Sequence, residues 1–299
     1  MPSCTPGGST TQHYGFCLPA DGETNWGNAY RSTMTAIDQE IFNVGIPRSY
    51  LAGMQTTPTV ASTSVSIAVG VAMGNDQSTA IRLTSALVKV LSSSWSVGSG
   101  NGGLYAATSI QGNQTYHLFT ILRTDTSVVD AFYDTSPTAV NIPSPYTIYR
   151  RIASLRTATS TNMVNYVQDG DYFRLTTAIR DSNTANPGTV SVTTTLTSVP
   201  SGVNFQALIN VNVETVGGGV GPAVYFSDLA ADDTFLFSLD AGTAPAAQIF
   251  LNANTRNFVG LTVRTNTSSQ IRYIFTASDA NTDIRFITLG WFDTRGRDA

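Results

Sequence analysis

The pattern of apolar positions changes once along the chain, near residue 50. Residues 18 to 42 read LPADGETNWGNAYRSTMTAIDQEIF, in which large apolar side chains recur every three or four positions. This spacing predicts one amphipathic helix. Asn25 suits the N-cap, and Gly45 and Pro47 end the pattern. The predicted apolar stripe consists of Trp26, Tyr30, Met34, Ile37 and Ile41.

After residue 57 the period becomes two, which is typical of strands. The tract STSVSIAVGVAMG places Val65, Ile67, Val69 and Val71 on one face. Similar tracts follow at short intervals, separated by turn clusters such as GSGNGG and DSNTANPG, with no helical tract between them. The pattern therefore predicts an all-β fold. Its body is an antiparallel, jelly-roll-like β-sandwich, preceded by an extended arm and one short N-terminal helix.

The predicted organisation has three parts. Residues 1–50 form an arm and helix, residues 51–180 a first β-sandwich portion, and residues 181–299 a second portion. The turn-rich segment near residues 180 to 189 separates the last two. They are either two smaller sandwiches or parts of one large one.

Composition narrows the function classes. The chain has 299 residues, a net charge of −4 and only 12% charged residues, with three Glu and one Lys. The scarcity of these strong helix formers agrees with the strand prediction. No basic stripe appears, so we expect no nucleic-acid partner. The N-terminal sequence lacks the features of a signal peptide, and no apolar run has the length of a membrane span.

Residues that could perform catalysis are sparse. Of the two histidines, His13 lies in the arm, and His117 sits in a predicted strand beside Phe119, where a packed core residue is expected. Cys4 and Cys17 could pair or remain thiols. We expect no cofactor, no metal site and no enzymatic activity. The remaining catalytic option is a carboxylate pair, and its members fall where Asp serves turns: Asp130 with Asp134, Asp169 with Asp171, and Asp232 with Asp233.

The helix and its approach resemble the N-terminal segment of tail-fibre and baseplate proteins of tailed bacteriophages. In these proteins a polar arm leads into a Gly-x-x-x-Trp-Gly motif and a short helix that ends in Ala-Ile-Asp. The matching positions here are Gly22, Trp26, Gly27, Ala36, Ile37 and Asp38.

A second resemblance covers residues 95 to about 173 and the ending GWFDTRGRDA. This run is similar to a β-rich module of phage tail proteins, with a Trp-Gly-rich turn, a Val-Asp step, a Pro-Tyr turn and an Arg-Arg-Ile strand. Ala153 stands where the module has Gly. The matching positions are Trp95, Gly98, Gly102, Gly103, Asp130, Pro145, Tyr146, Arg150, Arg151 and Ile152.

The resemblance implies a non-enzymatic component of a virion tail, made in the host cytoplasm. It implies a homotrimer that attaches to a tail or baseplate protein through the arm and helix. The β-rich body would then adhere to a host surface glycan or envelope protein. Two alternatives remain open: a purely structural baseplate, collar or head-decoration protein, and a polysaccharide depolymerase.

We expect the receptor-binding surface in the C-terminal half, on loops away from the helix. Gly- and Asn-rich loops there supply a ring, amides and a guanidinium that suit a neutral or acidic glycan. The candidate residues are Tyr225, Asn252, Asn254, Arg256 and Asn257.

Overall fold

The structure, a computed structural model, describes residues 9–11, 17–18, 27–44, 47–105, 109–215, 221–230 and 247–297. These ranges contain twenty-one strands and one α-helix, so the predicted all-β fold with one N-terminal helix is confirmed. Among the described residues, no helix combines the length and the apolar character that a membrane crossing requires.

The N-terminal region pairs two short strands beside the helix. Strands β1 (Ser9–Thr10) and β2 (Cys17–Leu18) are antiparallel, and helix α1 (Gly27–Val44) lies next to β2. The Thr11 hydroxyl donates to the buried Asp38 carboxylate at 2.7 Å, which fixes the arm against the helix. The observed helix agrees with the bounds predicted from its caps. Asn25, Trp26, Cys4 and His13 lie outside the described residues.

The first part of the β body has one large and one small sheet. The order in the seven-stranded sheet is β12-β10-β11-β9-β8-β5-β4, and in the three-stranded sheet β3-β6-β7. Strand β10 pairs with β11 and β12, and all eight of its residues are buried. The strands are β3 Leu51–Gly53, β4 Thr56–Pro58, β5 Ser64–Ile67, β6 Gly70–Met73, β7 Ala80–Leu83, β8 Leu87–Ser94, β9 Asn101–Leu104, β10 Thr115–Leu122, β11 Val129–Asp134 and β12 Ile148–Arg156.

The second part is a sandwich of a five-stranded sheet, β13-β14-β21-β16-β19, and a four-stranded sheet, β15-β20-β17-β18. Phe286 of the first sheet packs against Tyr273 and Phe226 of the second, with ring centroids 5.3 and 6.2 Å apart. The strands are β13 Tyr166–Asp169, β14 Tyr172–Ala185, β15 Val192–Thr195, β16 Gln206–Thr215, β17 Ala223–Ser227, β18 Ala247–Phe250, β19 Arg256–Arg264, β20 Gln270–Phe275 and β21 Thr282–Phe292.

The long alternating tract after residue 57 is two strands, not one. Val65 and Ile67 are fully buried in β5, as predicted, but Val69 is 52% exposed. The chain leaves the large sheet after Ile67 and enters the small sheet at Gly70. Because the two strands belong to different sheets, the predicted common face ends at the crossover between them.

A buried ion pair holds the segment that follows β8. Lys89 Nζ lies 2.9 Å from Asp130 Oδ1, and both side chains are fully buried. Nζ also donates to the carbonyl oxygens of Ser96 and Gly98, and the Gly98 N–H donates to Asp130. These bonds fold the segment after β8 back along its own strand. Strand β9 consequently pairs parallel with β8 and with β11, two exceptions to the predicted antiparallel pairing.

The two parts of the body share one apolar core. The largest cluster of buried apolar residues runs from Met54 to Trp291 and draws on both parts. At the contact between them, the Thr56 hydroxyl hydrogen-bonds the Tyr166 hydroxyl at 2.8 Å and donates to Gln168 at 2.7 Å. Residue 181, where the sequence analysis divides the body, lies within β14. The division of the body into two portions at this residue stays a prediction.

Deletion of residues 1–45 should leave a folded β body, because the shared core cluster begins at Met54. The truncated chain is expected to unfold cooperatively on heating, as followed by circular dichroism. Loss of the cooperative transition would show that the helix belongs to the core of the body.

Candidate functional site

The predicted attachment stripe lies on one side of α1. Tyr30, Ile37 and Ile41 are 40, 41 and 42% exposed, respectively. Met34, the fourth described member of the stripe, is partly buried. Large apolar side chains on a helix are ordinarily turned into a core, whereas these three keep about two fifths of their surface exposed.

The predicted receptor-binding turn between β18 and β19 is held by its own hydrogen bonds. The Asn252 carbonyl accepts from the hydroxyls of Thr215 and Thr255 at 3.0 and 2.6 Å. Asn254 has a left-handed backbone (φ 58°), which asparagine tolerates in turns. The Asn257 side chain donates to the Phe250 carbonyl at 2.8 Å. These contacts stabilise the turn, and they engage the side-chain amide of Asn257.

Arg256 is tied to an acidic partner. Its Nη2 lies 2.7 Å from Glu214 Oε1, and Arg285 Nη1 lies 2.9 Å from Glu214 Oε2. Hydrogen bonds from Arg285 and Arg256 lower the pKa of Glu214. The structure therefore brings four of the predicted receptor-binding residues to one turn. Tyr225 lies apart, half-buried in β17 of the other sheet. Their role in binding stays a prediction.

A second group of polar residues lies where the C-terminal segment docks onto β12. Arg151 Nη1 is 2.7 Å from Asp293 Oδ2, and both side chains are buried. Arg295 donates through Nε to the Ile152 carbonyl at 2.9 Å and through Nη2 to the Gly53 and Met54 carbonyls. Arg150 donates to the Arg295 carbonyl in return, at 3.2 Å. We call residues 150–151 and 293–296 the junction.

The junction has more positive than negative charge. Its charged side chains are three arginines and one aspartate. Burial alone would raise the pKa of Asp293, but the Arg151 charge and the hydrogen bonds from Arg151 and the Arg295 N–H outweigh it and lower that pKa. Burial lowers the pKa of Arg295 to about 10, so this guanidinium stays charged at neutral pH. The junction consequently attracts anions.

His117 is a buried core residue, as predicted, and it contacts the junction through Ser154. The Arg151 Nη1–H donates to the Ser154 Oγ at 2.6 Å, and the Ser154 Oγ lies 2.9 Å from the His117 Nδ1. Burial, with the Arg151 charge, lowers the pKa of His117 to about 3. The imidazole is therefore neutral at pH 7, and its Nδ1 shares a hydrogen bond with the Ser154 hydroxyl. No described residue accepts a hydrogen bond from Nε2.

Two adjoining cavities form a cleft at the junction. The larger has a volume of about 540 Å³ and the smaller about 200 Å³. Both are lined by Arg151 and Gly296, together with Pro137 and Thr138 from the turn after β11. Neither has an Asp or Glu among its lining residues. Three further lining residues of the larger cavity, Asn204, Gln206 and Arg264, come from the second part of the body.

Within the described part of the chain, Arg151 has donors that are not used. Its hydrogen bonds to described residues all involve Nη1, so Nε and Nη2 have no partner there. The side chain is 7% exposed and lines both cavities. Arg264 is 48% exposed, and its nearest ion-pair contact is Asp228 at 3.9 Å. The cleft thus presents two guanidinium groups to a ligand.

The sequence analysis did not find the cleft. It singled out Arg150 and Arg151 in one motif and the GWFDTRGRDA ending in another, without relating the two. Arg151 and Asp293 are 142 positions apart, and no local periodicity records a contact at that distance. The sequence contains one weak indication of the cleft. Two adjacent arginines in a largely apolar strand need buried partners elsewhere in the chain.

Comparisons with known proteins give little. No protein-family model and no curated protein sequence matches the chain. A chain of the T13 IBDV viral particle has 9% identity and a TM-score of 0.19, over 81% of this chain and 71% of that chain. A mutant VP2 protein of infectious bursal disease virus from T=1 particles has 10% identity and a TM-score of 0.17, over 85% and 73%. Both come from virus particles and are similar to this β-rich chain only weakly, so the likeness supports no argument.

The neutral state of His117 predicts a pH dependence of stability. Its pKa is about 3 in the fold and ordinarily 6.5, so between these values the unfolded chain binds a proton that the folded chain excludes. Stability should therefore fall as the pH is lowered, and His117 alone should contribute about 2 kcal/mol between pH 7 and pH 5. Denaturant unfolding at both pH values measures the change.

The matched variant for this prediction is His117→Gln, which keeps a polar side chain but does not titrate. Its stability should depend less on pH than that of the unmodified chain, whatever its absolute level. Equal changes between pH 7 and pH 5 in the two proteins would contradict the account of the His117 environment.

Proposed function

We propose that this protein is a non-enzymatic virion tail-fibre protein that attaches through its N-terminal arm and helix and adheres to a host surface through its β body. It assembles as a homotrimer, and the arm and helix dock onto a tail or baseplate protein. The body is presented outward and binds a surface glycan or envelope protein. The tail-protein resemblance of residues 18–42 and 95–173 suggests this assignment.

The exposed stripe of α1 is the observation that carries the proposal. Tyr30, Ile37 and Ile41 recur at helical spacing, and each exposes about two fifths of its surface. Among the described residues, the largest core cluster begins at Met54 and includes none of these three. A stripe of large, partly exposed apolar side chains fits a helix that packs against copies of itself around a trimer axis. A stripe of barely two heptads needs such partners to be stable.

The structural settings of the carboxylates support a binding role over a depolymerase. Asp130 is held by Lys89 in the buried ion pair. Asp134 accepts hydrogen bonds from the Ser136 and Asn141 N–H groups and from the Asn141 amide, which fixes the turn after β11. Asp171 pairs with Arg297. A glycosidase needs two carboxylates that face a substrate, whereas these three serve folding contacts.

Substitution of Ile37 tests the oligomeric part of the proposal. Ile37→Asp places a carboxylate on the stripe, and burial of an unpaired charge costs several kcal/mol. Light scattering should give about 95 kDa for the unmodified trimer, three times 31.8 kDa, and a smaller mass for the variant at the same concentration.

Thr35→Asp is the matched control, because Thr35 is exposed and lies well around the helix from the stripe. This variant should keep the trimer mass. A monomeric unmodified chain, or equal masses for Ile37→Asp and the unmodified chain, would contradict the proposal.

A further inference from the structure

We infer that the cleft at the junction binds a carboxylate-bearing sugar unit of an acidic saccharide. The inference rests on the proposed function, since it names the class of host ligand and moves its site away from the predicted turn at residues 252–257. Three features of the cleft carry it: the donors of Arg151, the absence of acidic lining residues, and the neutral polar and aromatic groups around them.

The open edge of Arg151 matches a carboxylate. Nη1 is engaged by Ser154 and Asp293, at 2.6 and 2.7 Å. This leaves Nε–H and Nη2–H, which point in parallel from one side of the planar guanidinium. Two parallel donors bind the two oxygens of a carboxylate in a bidentate pair. The ion pair with Asp293 fixes the side chain, so little rotamer freedom is lost when a ligand binds.

The charge of the lining selects an acidic ligand. Arg151 and Arg264 line the larger cavity, Arg150 and Arg151 line the smaller one, and neither lining contains a carboxylate. The nearby Asp293 neutralises one of the three junction guanidinium groups. Since the cleft is partly shielded from solvent, this excess of positive charge acts on a ligand more strongly than it would on the open surface.

Neutral groups in the cleft suit the rest of a sugar. The side-chain amides of Asn204 and Gln206 make no hydrogen bond within the described part of the chain, and both line the larger cavity. In the smaller cavity, the half-buried Tyr149 ring lies beside Asn75. Amides that pair with hydroxyls and a ring that packs on a sugar face are the groups that such a ligand needs. The larger volume, about 540 Å³, is within the usual range for small-molecule sites.

His117 lies behind the wall of the cleft. A methyl group at Gly202, which lines the larger cavity, would lie 2.6 Å from the His117 Nε2. Its Nε2 atom is buried and makes no hydrogen bond with a described residue. By contrast, Arg256 at the predicted turn already has its carboxylate in Glu214.

Calorimetric titration of the full chain tests the inference with two matched probes. Hyaluronan tetrasaccharide alternates glucuronate with N-acetylglucosamine, and chitotetraose contains N-acetylglucosamine alone and is neutral. The hyaluronan tetrasaccharide should bind, and chitotetraose should not bind measurably at the same concentration. Binding of both with equal affinity, or of neither, would overturn the assignment of a carboxylate site.

Two variants on the same strand locate the site. Arg264→Ala removes the cleft guanidinium at the end of β19, and Arg256→Ala removes the one at its start. Because a hydrogen bond to a charged group is lost, Arg264→Ala should weaken binding by about tenfold or more. Arg256→Ala should retain the affinity, and thermal unfolding confirms that both variants are folded. Reversed effects would place the ligand at the predicted turn and overturn the inference.

The outcomes separate this inference from the proposed function. A trimer by light scattering that fails to bind the acidic probe would leave the attachment role intact and remove the cleft. A monomer that binds the acidic probe through Arg264 would keep the cleft and remove the tail-fibre assembly.

Discussion

The ion pair between Arg151 and Asp293 is the contact on which the body's organisation depends. It joins the edge strand of the seven-stranded sheet to the residues that follow the central strand of the five-stranded sheet. Because both side chains are buried, loss of either would leave an unpaired charge, which typically costs about 3–5 kcal/mol. The pair also orients Ser154 and His117, and it turns the remaining Arg151 donors towards the cleft. One contact thus links the fold, the histidine environment and the candidate site.

The chain separates two kinds of exposed surface. The helix has a stripe of large, partly exposed apolar side chains, which suits a permanent contact with another protein surface. The cleft instead offers guanidinium groups, amides and a ring, which suit a reversible contact with a hydrated ligand. The body has a continuous core and few charges, and its buried ion pairs include Lys89 with Asp130 and Arg151 with Asp293.

Local patterns in the sequence predicted the elements that depend on short-range interactions. Helix α1 follows from its apolar period and its caps, and β5 from alternation over four residues. The exposed Val69 escaped prediction because a period of two does not reveal when a chain changes sheets. The parallel pairing of β9 escaped it because Lys89 and Asp130, whose ion pair folds the preceding segment back, are 41 positions apart.

The candidate site depended even more on distant contacts. The turn with Asn254 and Arg256 was recognisable as a turn. The sequence could not show that Arg256 is hydrogen-bonded to Glu214. Arg150 and Arg151 were recognised only as motif positions. Arg150 and Arg151 acquire their contacts only when the C-terminal segment packs on β12. The cleft beside them is formed by tertiary packing. Residues of one site that come from three separate segments leave no common pattern in a single sequence.

The central claim is that the junction joins both parts of the body into one cooperative unit. Differential scanning calorimetry of the unmodified chain tests it most directly. The account predicts a single transition of the body, with an enthalpy of about 0.7 kcal/mol per residue that equals the van't Hoff enthalpy. It also predicts that Asp293→Ala lowers the transition temperature of the whole body. Two resolved transitions in the unmodified chain, or an Asp293→Ala variant that affects only one of them, would contradict it.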